Sequence, residues 1–537
     1  MPRRISRWLG VLMLGALALG AQELPPALPS STFGGSVDVR VINVEAVVTN
    51  SKGERVRGLS AGDLVLEVDG QEVPIEYFAE IEEGRAASPP PASADAAPPP
   101  AAPQALGGRS VLVFIDDLFS IGKQRDRMLE ALEKSLTLLR PEDRMAVVAF
   151  FGGRVDVLSG WTDDRKVLAA ALQAARKRPA AGNKALAGRR EKIEEDLFVR
   201  EALAASDPDG GDENSLSGAR GLEDVASSLP PGSGSPELDS RLNKLSRAAI
   251  AAMNALTPPT GRRTLLLFSG GWPSARFPIS LALAASRLGY TVYPVDVQGI
   301  DTTLVANDAS LDQSLTDGFV NLGWQRESQY GMELLARITG GRAILNTAGL
   351  TALGRVVEDT SSYYGLGFTP KWKGDDRYHR IRVKARRKGL KVRSKAGFAD
   401  LSHATQATMA AQGILLVGGD ERTKRLGLQI DPLARDRKTM EVEVTVAIPL
   451  ADLTPIEQDG KWKVEATLST ASMDKTGSFS DLNEIPLHLT LPRKPDPGAV
   501  ARYHTKMKLS RIQQRLVVTV RDPLGGAAVW GETEIKP

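Results

Sequence analysis

The chain has 537 residues, with 68 Lys+Arg against 65 Asp+Glu and a formal net charge of +3. That length exceeds one ordinary domain and implies several modules, while the balanced charge argues against nucleic acid as a partner, since a domain-wide basic bias is its usual footprint. No cysteine is present, which excludes disulfides, thiol nucleophiles and a lipid carried on an N-terminal Cys, and leaves each module to hold together by burial alone.

Arg3, Arg4 and Arg7 precede an apolar run from Trp8 to Leu19, and Gly20 and Ala21 offer a cleavage position before Gln22. This pattern reads as a signal peptide over 1–21, with a run about half the length a spanning anchor needs. The expected mature protein is extracytoplasmic, either periplasmic or secreted. Over 33–83, Val37, Val39 and Val41 alternate with polar residues, as do Leu64, Leu66 and Val68 before Asp69-Gly70. Alternation broken by Asp-Gly predicts a hairpin in a small β domain. Residues 84–109 turn to Ala, Pro and Ser, a composition that stays extended as a linker.

The period then changes. Val111 to Ile115 is a continuous apolar strand, and Met128, Leu129, Leu132, Leu136 and Leu139 mark a helix face. Met145 to Phe151, Thr264 to Phe268 and Thr291 to Val295 predict further strands, with helical spacing at Val167 to Leu172, Ile279 to Leu288 and Leu334 to Ile338. Alternating strands and helices over 110–362 predict an α/β, Rossmann-like fold: a mostly parallel sheet covered by helices on both faces. Ligands of such sheets sit outside the carboxyl ends of the strands, where Asp116 stands. Residues 177–237 carry Asp207-Pro208-Asp209-Gly210-Gly211 and Pro230-Pro231-Gly232 and read as an insertion, either a tolerated surface loop or a recognition element.

In the 363–400 extension, Arg380, Arg382, Lys384 and Arg386 alternate with Ile381, Val383 and Ala385, which places four cations on one face of a strand. A hairpin turn at Lys388-Gly389 is expected to return Lys391, Arg393 and Lys395 beside them. The face is either solvated surface or a peripheral contact for anionic polymer or lipid headgroups, and the latter would be salt-sensitive. Residues 412–537 alternate again at Val442, Val444, Val446 and Ile448 and at Leu487, Leu489 and Leu491, predicting a C-terminal, immunoglobulin-like β-sandwich.

The order of these parts carries a resemblance. Val47-Val48-Thr49-Asn50-Ser51-Lys52-Gly53, then Gly58-Leu59-Ser60-Ala61-Gly62-Asp63-Leu64, Ile338-Thr339-Gly340-Gly341 and Tyr363-Tyr364-Gly365-Leu366-Gly367-Phe368-Thr369-Pro370 resemble the von Willebrand factor A (VWA) related secreted proteins of acidobacteria. The resemblance spans roughly residues 33–400 and implies a VWA domain flanked by β modules in a protein-binding, adhesion or scaffold protein. It also implies a metal-ion-dependent adhesion site, built from Asp-x-Ser-x-Ser, a Thr on a second loop and an Asp on a third. Here the first loop supplies Asp116 and Ser120, but Leu118 replaces the middle Ser. No Thr lies between Thr162 and Thr257, and Gly270 stands where the third-loop Asp is expected. Asp117 and Ser269 are the candidate substitutes.

Mg²⁺ wants about six oxygen ligands, so two readings stay open. Either Ser120 caps the following helix with Asp116 or Asp117 near its N-terminus, or Asp116 and Ser120 hold Mg²⁺ or another divalent cation weakly. In both, Asp116, Asp117, Ser120 and Ser269 are expected to mark the rim where a protein or envelope-surface partner docks. Catalysis finds little footing: the four histidines, His379, His403, His488 and His504, show no paired metal-ligand spacing. Ser269 lacks the Gly-x-Ser-x-Gly frame of a nucleophile elbow. An envelope hydrolase or processing factor with an unrecognised active site is the alternative, with Ser269 the single candidate nucleophile.

Overall fold

The computed structural model describes residues 41–86, 108–182, 236–297 and 329–537, with breaks at 257, 260, 273–278, 346–351 and 420–422. The expected signal peptide, most of the linker and most of the insertion lie outside the described residues. At the N-terminal side come β1 (Ile42–Thr49), β2 (Leu64–Val68), β3 (Gln71–Val73), β4 (Tyr77–Glu82) and a short β5 (Arg85–Ala86). Asp69 and Gly70 both take positive φ, 51° and 82°, the turn that lets β2 and β3 pair at Val68 and Gln71.

The α/β region holds β6 (Arg109–Asp116), α1 (Gly122–Lys134), β7 (Arg144–Phe151), β8 (Arg154–Thr162), α2 (Arg165–Arg176), α3 (Pro236–Ala255), β9 (Arg262–Ser269), α4 (Ile279–Arg287) and β10 (Tyr290–Asp296). A helix over 329–339, here α5, and α6 (Ala352–Asp359) complete it. The sheet order is β10-β9-β6-β7-β8; β6, β7, β9 and β10 run parallel and β8 is an antiparallel edge. Every residue of β6 is buried, because alternate side chains serve two cores. Val111, Val113 and Ile115 pack with Leu129, Leu132, Leu168, Leu172 and Val356 of α1, α2 and α6. Leu112 and Phe114 pack with α3, α4 and α5 through Leu245, Leu281 and Leu335. Helices thus cover both faces. Beyond β10, Ile344 makes a single parallel bridge to Val295.

After α6 come β11 (Ser362–Phe368), β12 (Arg377–Ala385), β13 (Lys391–Arg393) and β14 (Gly397–Asp400). They do not form a separate extension. β11 lies between β1 and β4, β13 pairs with β1, and β12 pairs with β2. Residues 41–86 and 362–400 therefore build one β domain around Val44, Leu64, Leu66, Leu366, Ile381 and Phe398. The hairpin expected at Lys388-Gly389 is corrected too. Gly389 turns with φ +81°, but the chain leaves β12 to pair β13 with Val47–Thr49 and returns only as β14. Arg393 is drawn there by Asp359, 2.5 Å away.

Asp359 also accepts from Arg55 at 3.1 Å and Tyr293 at 2.8 Å, and Arg262 meets Glu45 at 2.6 Å over the Tyr363 ring. These buried contacts join the β domain to the α/β sheet. Arg262 opens β9 and Ser269 closes it, so the junction sits at the opposite end of the strand from Asp116.

The last part begins with a helix that periodicity did not mark, α7 (His403–Val417), capped by the Ser402 hydroxyl accepting from the Thr405 amide. Then follow β15 (Gly427–Arg435), β16 (Thr439–Pro449), β17 (Ile456–Gln458), β18 (Lys461–Asp474), β19 (Asn483–Leu491), β20 (Val500–Ser510), β21 (Gln514–Arg521) and β22 (Ala528–Ile535). They form two antiparallel sheets, β15-β16-β20 and β17-β18-β21-β22, with β19 on the other side of β18. Val442, Val444 and Val446 of one sheet share a core with Val464, Leu468, Leu516 and Val518 of the other. Helix α7 is apolar on two sides. Ala411 and Leu415 pack on Ala471, Val517 and Trp530, while Met409, Leu416 and Val417 pack into the α3 side of the α/β core. It clamps the C-terminal sheets to the α/β domain.

Candidate functional site

Asp116 and Ser269 end adjacent parallel strands, aligned by the pairing of Ile115 with Phe268. The Ser269 hydroxyl donates to Asp116 Oδ2 at 2.6 Å. Asp116 Oδ1 accepts from the backbone amides of Leu118 and Phe119 at 2.9 and 3.1 Å, so the carboxyl folds its own loop. Burial pushes it up to about 7, opposed by the Ser269 hydroxyl and the two amides.

Asp117 takes the other side of the strand end. Arg125 Nη1 lies 2.5 Å from its Oδ1, and Arg178 Nε lies 2.9 Å from its Oδ2. Burial pushes the Asp117 carboxyl up, against the downward pull of Arg178 and Arg125. The Arg178 guanidinium is desolvated in turn, yet its bonds to Asp117 and Asp156 hold it above its ordinary range. Both guanidinium groups favour the charged form of the Asp117 carboxyl, against the larger effect of burial.

Ser120 does not cap the helix. Residue Ile121 occupies the N-cap position of α1 without a side-chain bond, and the buried Ser120 hydroxyl has no hydrogen-bond partner among the described residues. Its carbonyl accepts from the Gly182 amide at 3.0 Å, and the Asp117 carbonyl accepts from Ala181 at 2.9 Å. Residues 178–182 thus lie across the loop, so closely that a Cβ on Gly182 would sit 2.4 Å from the Ser120 oxygen. Asp116, Asp117, Ser120 and Ser269 all have 0% exposure. The accessible rim expected from the sequence is therefore corrected: the structure brings the four residues together, but covered.

The donor set does not fit the metal site that the resemblance implies. Leu118 offers no side-chain oxygen, Gly270 no carboxylate, and both oxygens of Asp117 are held by guanidinium groups. That leaves Asp116 and two hydroxyls, one of which already bonds the carboxyl. Three residues escaped the sequence reading. Arg125 had a signal, since 125, 129, 132 and 136 share one helix face, which made it an arginine on an apolar stripe. Arg178 fell inside the segment read as insertion. Asp296 closes β10 opposite Ser269 and accepts from Gln329 at 3.2 Å.

On β12, Arg382 and Lys384 are exposed as the alternation requires. Their charge is partly offset, because Lys384 pairs with Glu67 and Arg386 with Glu72, and the Arg380 amide donates to Asp69. No helix among the described residues is long and apolar enough to cross a membrane.

No protein-family model matches the chain, and no curated protein matches it. Among solved structures it is similar to the VWA domain of SpRpn10, with 11% sequence identity and a TM-score of 0.21, over 47% of this chain and 95% of that one.

Proposed function

We propose that this chain is an extracytoplasmic protein-binding, adhesion or scaffold protein. It acts through a VWA-like α/β domain whose adhesion metal site is degenerate, with an immunoglobulin-like C-terminal module. The observation that carries this reading is Asp117 held between Arg125 and Arg178 at the carboxyl end of the sheet. Guanidinium groups occupy the carboxyl that would have to replace the missing ion ligands, so a partner protein or envelope surface is met without a metal bridge. The exposed Arg382 and Lys384 offer a second, salt-sensitive contact.

Pull-down from native envelope material tests this directly. Capture that persists in chelator and in Asp116→Ala supports metal-free docking. Capture that chelator abolishes and Mg²⁺ restores overturns the metal-free part, and no specific capture overturns the binding reading. A second reading rests on the 2.6 Å contact of Ser269 with Asp116: an envelope hydrolase or processing factor. Ester or peptide cleavage that disappears in Ser269→Ala would establish it instead.

A further inference from the structure

The sequence offers no paired metal-ligand spacing around its histidines, but the fold assembles one such group at a place unrelated to Asp116. In β12 and β14, Arg377 pairs with Asp400 and His379 with Phe398. Directly opposed residues share a face, as do residues two apart on one strand. His379 and Asp400 therefore fall on one side of the sheet, and Asp375 enters from the turn just before β12. The ligand atoms of Asp375, His379 and Asp400 all lie within 4.8 Å of one another.

The surroundings fix the imidazole in advance. Asp69 Oδ2 lies 2.8 Å from His379 Nδ1, and Asp69 is itself held by the Arg380 amide at 2.8 Å. The Phe398 ring stacks on the imidazole, centroids 5.0 Å apart. A carboxylate on Nδ1 selects the tautomer that leaves the Nε2 lone pair for a metal, the usual outer-shell arrangement of a ligating histidine. Asp400 is buried, and its Oδ2 accepts from the Lys373 and Gly374 amides at 2.6 and 3.0 Å. Its Oδ1 accepts no hydrogen bond among the described residues. Asp375 is the most exposed member: its side chain is 27% exposed, its Oδ1 accepts from the Arg377 amide at 3.1 Å, and Arg377 Nε lies 3.8 Å away as a counter-charge.

We propose that Asp375, His379 and Asp400 bind a divalent transition-metal ion, with Zn²⁺ the best match, and that Asp69 is a positioning residue for His379. One nitrogen and two carboxylate oxygens suit Zn²⁺ better than Mg²⁺ or Ca²⁺, which prefer all-oxygen sets. Bonds of about 2.0–2.2 Å need the three ligand atoms within about 4 Å of one another, which rotation of the partly exposed Asp375 side chain can supply. Three protein ligands leave a position for water. The bound ion would pin the 372–376 turn onto the β12–β14 edge. This site shares no atom with the docking reading above and stands or falls without it.

The full-length mature chain, stripped with chelator and dialysed, should take up one Zn²⁺ per chain by elemental analysis and calorimetry. Co²⁺ should give visible absorption bands, and Mg²⁺ should not compete. Asp375→Asn and His379→Gln should each lose uptake while melting normally in chelator; Asp69→Asn should bind about 10–100-fold more weakly, and Asp116→Ala should bind as the wild type does. Absence of stoichiometric uptake by the wild type overturns the proposal, as does unchanged affinity in Asp375→Asn. If His379→Gln fails to fold, Asp375→Asn, altered at a side chain that faces solvent, decides alone.

Discussion

Arg125 Nη1 stands 2.5 Å from Asp117 Oδ1, with both side chains sealed from solvent, at the strand end where the loop resembles a cation site. A buried pair of this kind is costly to break because the surviving charge has nowhere to go. Arg178 still holds Asp117 after Arg125→Met, so that variant should lose less than the about 3–5 kcal/mol of an unpaired buried charge, and Asp117→Asn should cost less when added to it than alone. Urea unfolding of the two single variants and the double variant measures it. Additive losses would show that the two side chains do not act as a pair.

The Asp116 carboxyl titrates at about 7 in the folded chain against an ordinary 3.8. Between those values the folded state keeps a proton that the unfolded state has lost, so its contribution to stability falls as pH rises toward 7 and levels off above. Each unit is worth about 1.4 kcal/mol, which makes the whole effect a few kcal/mol at most. Asp116→Asn keeps its one oxygen for the two amides, turns an NH2 donor toward Ser269, whose hydroxyl can accept from it, and cannot ionise. The difference in stability between wild type and this variant should shrink with acidification. A difference independent of pH would show that Asp116 does not titrate in this window.

Gly182 lies against the Ser120 carbonyl, and a methyl there would sit 2.4 Å from that oxygen. Gly182→Ala should cost about 1–3 kcal/mol by overpacking and lift residues 178–182 from the loop. Limited trypsin digestion should then cut faster after Lys177, next to Arg178, whose side chain is pinned to Asp117 and Asp156 in the wild type. Unchanged cleavage would mean that the cover does not depend on this close approach.

Leu415 is fully buried where α7 meets Ala471, Val517 and Trp530. Leu415→Ala should cost about 2–5 kcal/mol and split a single calorimetric transition into two, as the C-terminal sheets uncouple from the α/β domain. One unbroken transition in the variant would locate the coupling elsewhere.

What the sequence made legible follows from local physics. The strand at Val111 to Ile115 is apolar throughout because both its faces are covered, and the Asp69-Gly70 turn is local chemistry; both stand in the structure. Pairing is another matter. Nothing in the alternation of Lys391, Arg393 and Lys395 says that this stretch joins β1 rather than β12, because a strand pattern names a buried face and not a neighbour. Helix α7 escaped because Ala411 and Leu415 face one module while Leu416 and Val417 face another, which erases the single apolar stripe that periodicity detects. At the site, Asp116 was placed at its strand end, but its closure came from Arg125 and Arg178, brought together only by the fold. His379 was passed over for the same reason: its partners Asp69, Asp375 and Asp400 come from three separate places in the chain.

The interleaving of β1 and β2 with β11, β12 and β13 sets an order of events. Strands β1 and β2 lie in the first hundred residues, yet both partners of β1 and the β12 partner of β2 come only after Ser362. As the chain emerges, the α/β sheet can complete itself while β1 still presents open edges, the kind that invite pairing with other chains. A product truncated before Ser362 would carry those edges permanently. The protein thus becomes safe from self-association only when its middle has been made, and the β domain acts as a buckle that fastens last.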